Sequence, residues 1–309
     1  MSVSIQWYPG HIAKLERKLN EWIKLCDVII ELVDARIPEA SYNPRLSQRY
    51  AHKPRIILLN KADLADNTQT KQWQTAYKKA LQQADSPYRV MSFNAKTGKL
   101  RNQLVQAILP LGKSIQEKRK AKGLKERSLR VMVVGMPNVG KSTLINQIVE
   151  RKKTKTGHKA GVTRQTQWVR IHDSIDLLDT PGVIPPKLDE RQDDCPTPMS
   201  PGALLAAVSS VGEAAYDEEP VAQDLLDQIE YYYPHILRPH YELSPEAPVT
   251  LETIGESRQW LMGQGEINTL RTARGILTDF RSGRLGPLTL EWCPNHGTET
   301  STTKTENEA

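Results

Sequence analysis

The sequence predicts an α/β domain, built on a mostly parallel sheet with helices on both faces, followed by a small all-α domain. Short apolar runs alternate with helical patterns over residues 1–186, as in a parallel sheet whose strands are joined by helices. Residues 204–292 carry helical patterns without such runs. Between the two, residues 187–203 are expected to form a linker or insertion, and the polar residues 293–309 a disordered tail.

Apolar residues indicate the elements of the α/β domain in chain order. A helix is predicted near the amino terminus. Residues 55–59 and residues 129–134 are each typical of one central strand. A second helix and a short third strand follow residue 134. The apolar residues that define these two helices and this strand are Ile12, Leu15, Leu19 and Trp22, then Leu144, Ile145, Ile148 and Val149, and finally Ile175, Leu177 and Leu178.

The residues after the second strand fit a phosphate loop. Residues 135–142 read G-M-P-N-V-G-K-S and match G-x-x-x-x-G-K-[ST] where a strand turns into a helix. Backbone N–H groups and the helix dipole favour phosphate at such a turn. We expect Lys141 to bind the β- and γ-phosphates, and the Ser142 hydroxyl to bind Mg²⁺. The other residues expected to contact phosphate are Asn138, Val139, Gly140, Thr143 and Gly182.

Two downstream segments fit the parts of such a site that contact Mg²⁺ and the γ-phosphate. The run D-T-P-G at residues 179–182 follows the third strand, so Asp179 is expected to hold Mg²⁺ and the Gly182 N–H to approach the γ-phosphate. Thr163 lies in the predicted switch I and is placed to complete the Mg²⁺ shell, although alone it would be an ordinary surface threonine. Together these motifs disfavour a glycine-rich turn that holds no ligand at residues 135–142.

The run N-K-A-D at residues 60–63 is expected to read guanine. It follows the strand at residues 55–59, at the end where α/β sheets bind ligands. Guanine presents its N1–H and N2–H donors together, and the Asp63 carboxylate can accept both, whereas adenine would leave it unpaired. Asn60 is expected to meet the other base edge or to brace the loops, and the Lys61 stem to cover the ring.

A second guanine contact is expected at residues 94–96, which read N-A-K after an apolar run. Many GTP-binding proteins carry serine where Asn94 stands, so the match is looser than that of the first run. The expected contact is the Ala95 backbone N–H, which does not depend on the neighbouring side chains. Lys96 is expected to support the loop without reading the base.

The guanine-reading residues and the phosphate-binding residues occur in an inverted order along the chain. An ordinary GTP-binding domain begins with its phosphate loop, whereas here the guanine run comes first. This order predicts a circularly permuted P-loop GTPase domain. Permutation needs a bridge between the former termini, and the basic residues 113–128 are expected to form it, partly as a helix.

The motifs resemble those of the circularly permuted ribosome-assembly GTPases, in particular the ribosome biogenesis GTPase A (YlqF) family. The resemblance is also carried by W-Y-P-G-H at residues 7–11, L-V-D-A-R-I-P at 32–38, G-E-I-N at 265–268 and D-F-R-S-G-R-L-G at 279–286. It implies that the protein binds a late precursor of the large ribosomal subunit, composed of rRNA and ribosomal proteins. It also implies that GTP hydrolysis to GDP is stimulated by that particle.

Two further roles are implied by the resemblance. Val183 stands where Ras-like proteins place a water-orienting glutamine, and the family points to His11 as the group that positions the attacking water. For His11 the alternative is capping of its own helix. Asn138 resembles an asparagine of K⁺-stimulated GTPases, where it helps to bind a monovalent cation beside the phosphates. For Asn138 the alternative is an ordinary turn residue.

Composition excludes several classes of protein. No apolar run approaches the ~18 residues of a membrane span, and the amino terminus lacks the layout of a cleavable signal. The three cysteines are too few and too scattered for a disulfide framework, and Cys293 with His296 would supply at most two metal ligands. We therefore expect a cytoplasmic protein with no membrane partner.

The formal net charge of +6 is unevenly distributed along the chain. One basic cluster lies at residues 151–164, in and before switch I, and another at residues 118–125, in the bridge. Such clusters suit an RNA backbone, although a solvated charged face is the ordinary interpretation of a single run. Two functions remain: a GTP hydrolase stimulated by the large-subunit precursor, and a GTP-gated RNA-binding module with negligible intrinsic hydrolysis.

Three helical patterns predict a small bundle in the second domain. Each places apolar residues three or four positions apart. Gly283 is expected to end the third helix. The residues are Val221, Leu225, Ile229, Tyr233 and Ile236 in the first pattern, Leu251, Ile254 and Leu261 in the second, and Ile267, Leu270, Ala273, Ile276, Leu277 and Phe280 in the third.

Overall fold

The chain alternates strands and helices in its first part and is helical in its second. The computed structural model describes residues 9–82, 84, 86–93, 100–149, 168–179 and 199–293, with the backbone alone for residues 9–16, 149, 179 and 264. The strands are β1 (Val28–Asp34), β2 (Arg55–Asn60), β3 (Tyr88–Ser92), β4 (Leu129–Gly135), β5 (Trp168–His172) and β6 (Ile175–Asp179). The α-helices are α1 (Pro9–Leu25), α2 (Pro44–Arg49), α3 (Asn67–Leu81), α4 (Leu100–Ala121), α5 (Lys141–Val149), α6 (Pro201–Ala207), α7 (Glu218–Tyr232), α8 (Leu237–His240), α9 (Leu251–Ser257) and α10 (Thr269–Ser282). Among these helices, none combines the length and the apolar character that a membrane span requires.

The six strands form one sheet in the order β3-β2-β1-β4-β6-β5. Every neighbouring pair is parallel except β5 and β6, which confirms the predicted α/β fold. The register pairs Asp34 with Asn60 and Val133 with Asp179, so four strands end at one edge of the sheet. Strand β4, which leads into the predicted phosphate loop, lies in the middle of the sheet between β1 and β6.

Alternate residues of β1 belong to different layers of the core. Val28, Ile30 and Leu32 are fully buried in a cluster that includes residues of α4, α5 and the helical domain. Ile29 is buried on the other face, in a cluster to which α1 contributes Leu19. Since side chains alternate across a strand, β1 is covered on both faces. This explains why its sequence is apolar almost throughout, as in other parallel sheets.

Helix α4 continues beyond the core. Its last buried residue is Gly112, well before the helix ends. The chain then turns back: Gly123 adopts φ +68°, and the Leu124 N–H donates to the Arg119 carbonyl (3.1 Å). Glycine favours this left-handed helix ending. The bridge is therefore partly helical, as predicted, and residues 113–127, here termed the basic arm, are mainly exposed.

Helix α6 begins inside the predicted linker of residues 187–203. Ser200 caps its first turn by accepting a hydrogen bond from the Ala203 N–H, and Pro201 is its first residue. Proline suits this position because the first helical residues need no N–H donor inside the helix. A proline that was interpreted as a linker signal therefore starts a helix. Residues 187–198 lie outside the described residues.

The three helical patterns of the second domain are confirmed, with shorter helices than predicted. Helix α7 stops before Pro234, which cannot continue it, so Ile236 lies outside that helix. Leu261 lies beyond α9 and pairs with Ile267 in an isolated β-bridge, so neither is helical. Gly283 ends α10 in the left-handed conformation (φ +77°), as predicted.

The helical domain and the sheet share one apolar core, and the last described residues run along the sheet domain. Residues 285–293, here termed the C-terminal segment, lie beside the loops that follow β1 and β2. The Leu288 N–H donates to the Leu64 carbonyl (3.0 Å), and the Leu290 N–H donates to the Arg36 carbonyl (2.8 Å). Backbone contacts thus join the end of the second domain to two loops of the first.

Glu291 is fully buried in this junction. Its carboxylate accepts hydrogen bonds from the backbone N–H groups of Glu39 (2.7 Å) and Ala40 (3.1 Å), and its carbonyl accepts one from the Trp73 indole (2.7 Å). Cys293, assigned above to the disordered tail, is also buried. The packed chain therefore extends through Cys293, and residues 294–309 lie outside the described part.

Candidate functional site

Three loops at one edge of the sheet bring the predicted motifs together. Residues 135–142 lead from β4 into α5, residues 60–63 follow β2, and the run D-A-R at residues 34–36 follows β1. Because these strands are parallel neighbours, their carboxyl ends lie side by side. The guanine half and the phosphate half, far apart in sequence, therefore meet in space.

The phosphate loop needs glycine at two positions. Gly135 has φ +152° and Gly140 has φ +104°, which side chains disfavour. A Cβ atom on Gly140 would also collide with the side-chain amide of Asn60. That amide is held there because Asn60 Nδ2 donates to the Val139 carbonyl (2.7 Å). Of the two roles predicted for Asn60, the structure shows the bracing of the loops.

Lys141 begins α5 and is buried beneath the phosphate loop. Its Nζ donates to the backbone carbonyls of Gly135 (3.1 Å) and Met136 (2.7 Å). The ammonium group thus lies at the strand-to-helix turn, where phosphate binding is predicted. Ser142 is the next residue in the first turn of α5 and is half-buried.

Lys61 joins the guanine loop to the phosphate loop. Its Nζ donates to the Asn138 carbonyl (3.0 Å) and to Asp34 Oδ2 (2.8 Å). Asp34 is the last residue of β1 and is fully buried, whereas the Lys61 side chain is 22% exposed. The contact therefore links three loops through one ammonium group.

Arg36 fixes the carboxylate that Lys61 binds. Its Nε donates to Asp34 Oδ1 (3.0 Å) and its second guanidinium nitrogen to Oδ2 (2.8 Å). The guanidinium carbon also lies 5.2 Å from the ring centre of Phe280 on α10, within reach of a cation–π interaction. The ion pair beside the guanine loop is thus covered by the helical domain.

Burial and neighbouring charges have opposing effects on the pKa values of Asp34 and Lys61. Burial raises the pKa of Asp34, but the cations of Arg36 and Lys61 outweigh burial and hold that pKa well below its usual range. Burial lowers the pKa of Lys61, and the anion of Asp34 opposes this only in part. The Asp34 carboxylate is therefore the group that favours the charged form of Lys61 against the effect of burial.

Asn138 connects the phosphate loop to the helical domain. It has φ +54°, and its Nδ2 donates to the Ser209 carbonyl (2.6 Å). Ser209 has φ +62° just after α6, where its N–H donates to the Ala206 carbonyl (3.0 Å). Asparagine tolerates the left-handed conformation better than most residues. Nothing in the sequence indicated this contact between domains.

The backbone places the second guanine segment beside the first. The Phe93 N–H donates to the Leu59 carbonyl (2.8 Å), and the Ala62 N–H donates to the Phe93 carbonyl (3.1 Å). Asp63 follows directly and is half-buried. Asn94 and Ala95 lie outside the described residues, so their contacts stay predictions.

The predicted Mg²⁺ ligands share the same edge of the sheet as far as they are described. Ser142 offers a hydroxyl in the first turn of α5, and the Asp179 backbone ends β6 beside Val133 of β4. Hydroxyl and carboxylate oxygens are ligands that Mg²⁺ prefers, so these residues fit this ion. Thr163 and Gly182 lie outside the described residues.

The catalytic prediction rests on residues that the structure describes only in part. His11 lies in α1, where the structure describes its backbone but not its side chain. Val183 lies outside the described residues. Within the described ranges, no group of three or more histidine, cysteine and acidic residues could hold a metal ion. The water-positioning role of His11 stays a prediction.

In the sequence, Asp34 and Arg36 stand out only as part of a family motif. The structure adds them to the site because they control Lys61. A signal was present, since a charged D-x-R run directly after an apolar strand lies where α/β sheets bind ligands. Ser209 carried no such signal.

Comparison with known proteins agrees with this geometry. A family described as 50S ribosome-binding GTPase matches residues 130–211. The chain is 39% identical over 290 residues to the ribosome biogenesis GTPase A of Bacillus cereus, covering 93% of each chain. It is 40% identical over 290 residues to that of Bacillus licheniformis, covering 93% of this chain and 98% of the relative.

Solved structures share the fold. A crystal structure of GNP-bound YlqF from T. maritima superposes with a TM-score of 0.61 at 21% identity, covering 92% of this chain and 100% of the other. A GDP-bound TM YlqF gives a TM-score of 0.60 at 22% identity, covering 89% and 99%. The permuted order of motifs, the joined guanine and phosphate loops and the similarity to relatives along nearly the whole chain lead to one conclusion. The chain belongs to the ribosome biogenesis GTPase A family and is a GTPase.

Proposed function

We propose that this ribosome-assembly GTPase binds a late precursor of the large ribosomal subunit and assists its maturation, with turnover stimulated by the particle. The observation that carries the proposal is the joining of guanine and phosphate loops through Asn60 and Lys61. This joining supports a nucleotide site whose guanine and phosphate loops respond together to a bound nucleotide. The matching family, described as 50S ribosome-binding, supports the choice of particle. We place the reaction in the cytoplasm, with no membrane partner.

The proposed nucleotide contacts follow the motifs. Asp63 selects guanine, with Asn94 and Ala95 completing the base site. The loop around Lys141 binds the phosphates through its side chain and backbone N–H groups. The other proposed phosphate contacts are Asn138, Val139, Gly140, Ser142, Thr143 and Gly182.

Magnesium and potassium have different proposed ligands. Ser142, Thr163 and Asp179 would hold Mg²⁺, which neutralises phosphate charge when bound. Asn138 would help to bind K⁺ beside the phosphates. Its position in the phosphate loop and its left-handed backbone support this assignment. The same Asn138 side chain donates a hydrogen bond to Ser209, so cation binding would break or rearrange this hydrogen bond.

His11 is proposed to position the attacking water. Val183 has an apolar side chain that cannot hold water, so another group must do so. Helix α1 ends just before β1 begins and packs on the sheet through Leu19 and Ile23. A helix that is joined to β1 by so short a connection is expected to run antiparallel to that strand, with its amino end toward the edge where the strands end. This supports a place near the phosphates for the helix turn that carries His11.

RNA is the proposed contact of the basic arm. Residues 113–127 contain seven lysine and arginine residues and two glutamates. The turn at Gly123 brings the chain back along the helix, and the Arg119 guanidinium donates to the Lys125 carbonyl (3.1 Å). The basic side chains are thus presented by a built turn. A dense positive surface of this kind suits an RNA phosphate backbone.

The test is GTP turnover measured with and without large-subunit precursor particles, in K⁺ and in Na⁺. We expect stimulation by particles, and faster turnover in K⁺ than in Na⁺. Stimulation that is equal in both salts would contradict the K⁺ site alone. Turnover that does not respond to particles would favour the second candidate, a GTP-gated RNA-binding module, which the apolar Val183 also favours if His11 is structural.

A further inference from the structure

We propose that Asp34 is a positioning residue for guanine nucleotides: it holds the Lys61 ammonium against the phosphate loop, and Arg36 holds Asp34 in place. The inference rests on the proposed assignment of residues 60–63 as the guanine loop. It adds two residues of the D-A-R run, neither of which is proposed to contact the nucleotide. Their effect would pass through Lys61 alone.

The first support is the pair of partners that Lys61 binds. Its Nζ lies 2.8 Å from Asp34 Oδ2 and 3.0 Å from the Asn138 carbonyl. One partner belongs to a strand end and the other to the phosphate loop. An ammonium group between an anion and a carbonyl has its direction fixed by the stronger, charged contact. Without the carboxylate, the neutral carbonyl would be the one remaining hydrogen-bond partner of this ammonium group among the described residues.

The second support is the rigidity of Asp34. Both carboxylate oxygens accept from the Arg36 guanidinium, at 3.0 Å and 2.8 Å, and Oδ1 also accepts from the Arg36 backbone N–H (3.1 Å). The Asp34 N–H donates to Ser41 Oγ (2.9 Å). With no exposed surface, the carboxylate has one available orientation. Such a two-point contact fixes geometry as well as charge.

The third support is the backbone at the two ends of the contact. Lys61 has φ +59° and Asn138 has φ +54°, so both residues adopt the left-handed conformation. This conformation costs free energy for a lysine and persists where surrounding contacts determine it. The contact from Lys61 to the Asn138 carbonyl joins these two strained positions directly. Loosening Lys61 would therefore also loosen the phosphate loop at Asn138.

The charges around Lys61 show what Asp34 contributes. The charged groups that act on the ammonium group are Asp34 from β1, Arg36 from the following loop and Arg281 from α10. Asp34 is the one anion among these three groups, and it lies within hydrogen-bond distance of Lys61 Nζ. An Asp34→Asn variant would leave Lys61 beside two cations, so its contact with the Asn138 carbonyl should weaken.

The experiment compares Asp34→Asn with Glu31→Gln. Both changes turn a buried carboxylate of β1 into an amide of the same shape, but Glu31 interacts with Tyr50, Arg55 and Ser47 and not with Lys61. Affinity for a fluorescent GDP analogue is measured at one pH, in the parent background and in a Lys61→Met background. We expect Asp34→Asn to weaken binding about tenfold in the parent background and to add no further loss when Lys61 is already replaced, because its effect passes through Lys61. Glu31→Gln should stay within about twofold of the parent.

A second variant covers the possibility that Asp34→Asn does not fold, since it leaves Arg36 as an unpaired buried cation. The double change of Asp34→Asn with Arg36→Met removes the buried pair as a unit, which proteins often tolerate. It should show the same loss of affinity. Parental affinity in a folded single or double variant, or equal losses in Glu31→Gln, would overturn the proposal.

Asp63→Asn separates this inference from the guanine assignment on which it rests. If Asp63→Asn keeps full guanine preference, the guanine loop is misassigned and the role of Asp34 fails with it. If Asp63→Asn changes the preferred base while Asp34→Asn binds as the parent does, the positioning role alone is wrong. The two failures therefore give different results.

Discussion

Asn60 and Asp63 belong to one motif, and different partners are proposed for their side chains. Asn60 is bonded to the Val139 carbonyl, which leaves Asp63 as the residue proposed to read the base. We expect Asp63→Asn to shift preference from GTP toward XTP, because xanthine has a carbonyl where guanine has its N2 donors. Competition binding with the two nucleotides measures this. Asp66→Asn is the control, because Asp66 caps α3 and asparagine caps equally well.

His11 is the residue whose role depends most on the family resemblance. We expect His11→Ala to keep GTP affinity and particle binding while losing particle-stimulated turnover by about 10²- to 10⁴-fold, as for other positioned catalytic groups. The protein should then accumulate on immature particles in its GTP-bound state. Single-turnover hydrolysis on the particle is the measurement. His52→Ala is the control, because His52 is an exposed histidine in the same domain.

A His11→Ala protein that is folded and hydrolyses GTP normally on the particle would return His11 to the helix-capping interpretation. Circular dichroism and thermal unfolding of the free protein check that the variant keeps its helix content and its fold. These measurements separate a lost catalytic group from a lost helix.

The contrast between Lys61 and Asp34 shows how far sequence could predict the residues of the site. Lys61 belongs to a motif with a known purpose and was assigned from its neighbours alone. Asp34 acts on Lys61 across two strands, and this proximity depends on the pairing of β1 with β2. A pairing between strands is a property of the sheet. The D-x-R run after an apolar strand indicated the site, but nothing in the sequence indicated that Asp34 would contact Lys61.

The basic arm is an element whose role can be tested apart from the nucleotide. Its residues precede β4, so they lie at the opposite edge of the sheet from the phosphate loop that follows this strand. We expect replacement of Lys118, Lys120 and Lys122 by glutamine to leave GTP affinity unchanged. Particle binding should weaken, and it should become less sensitive to salt. The negative slope of log affinity against log salt should decrease in magnitude by about two to three.

The control for the basic arm removes the same charge from another exposed helix. Lys71, Lys78 and Lys79 lie on α3 and are exposed. Their replacement by glutamine should change the salt dependence much less. Equal effects of the two triple variants would mean that overall charge, not the basic arm, governs binding.

The helices and strands themselves were predicted best where apolar periodicity is strong. Strand β4 matches its apolar run because it is buried on both faces, and helix α10 matches most of its pattern because one side of it is buried. The ends were predicted less well, because caps and prolines decide them. Pro201 starts α6 and Pro234 stops α7, although both are the same residue type. The two prolines differ in position: Pro201 directly follows the helix cap Ser200, whereas Pro234 comes after the end of α7.

At the scale of the whole molecule, Glu291 ties the two domains together. We expect Glu291→Gln to lower the free energy of unfolding by about 1–3 kcal/mol, because two backbone N–H groups would meet an amide that accepts less well and adds its own donors. Urea denaturation followed by tryptophan fluorescence measures this. Glu256→Gln is the matched control, since Glu256 is exposed on α9. Equal midpoints for the two variants would contradict the expected role of Glu291.

The position of β4 in the sheet bears on how this chain is made. Strands β1, β2 and β3 are synthesised first and can pair in that order, but β1 then presents an open edge until β4 has been translated. Open strand edges attract wrong partners. In an unpermuted domain the phosphate-loop strand is made first, and its own edge then stays open until the guanine half follows, so permutation moves the open edge from the phosphate-loop strand to β1. Here the nascent chain must protect the β1 edge during elongation through α4, which makes this interval the point at which misfolding would begin.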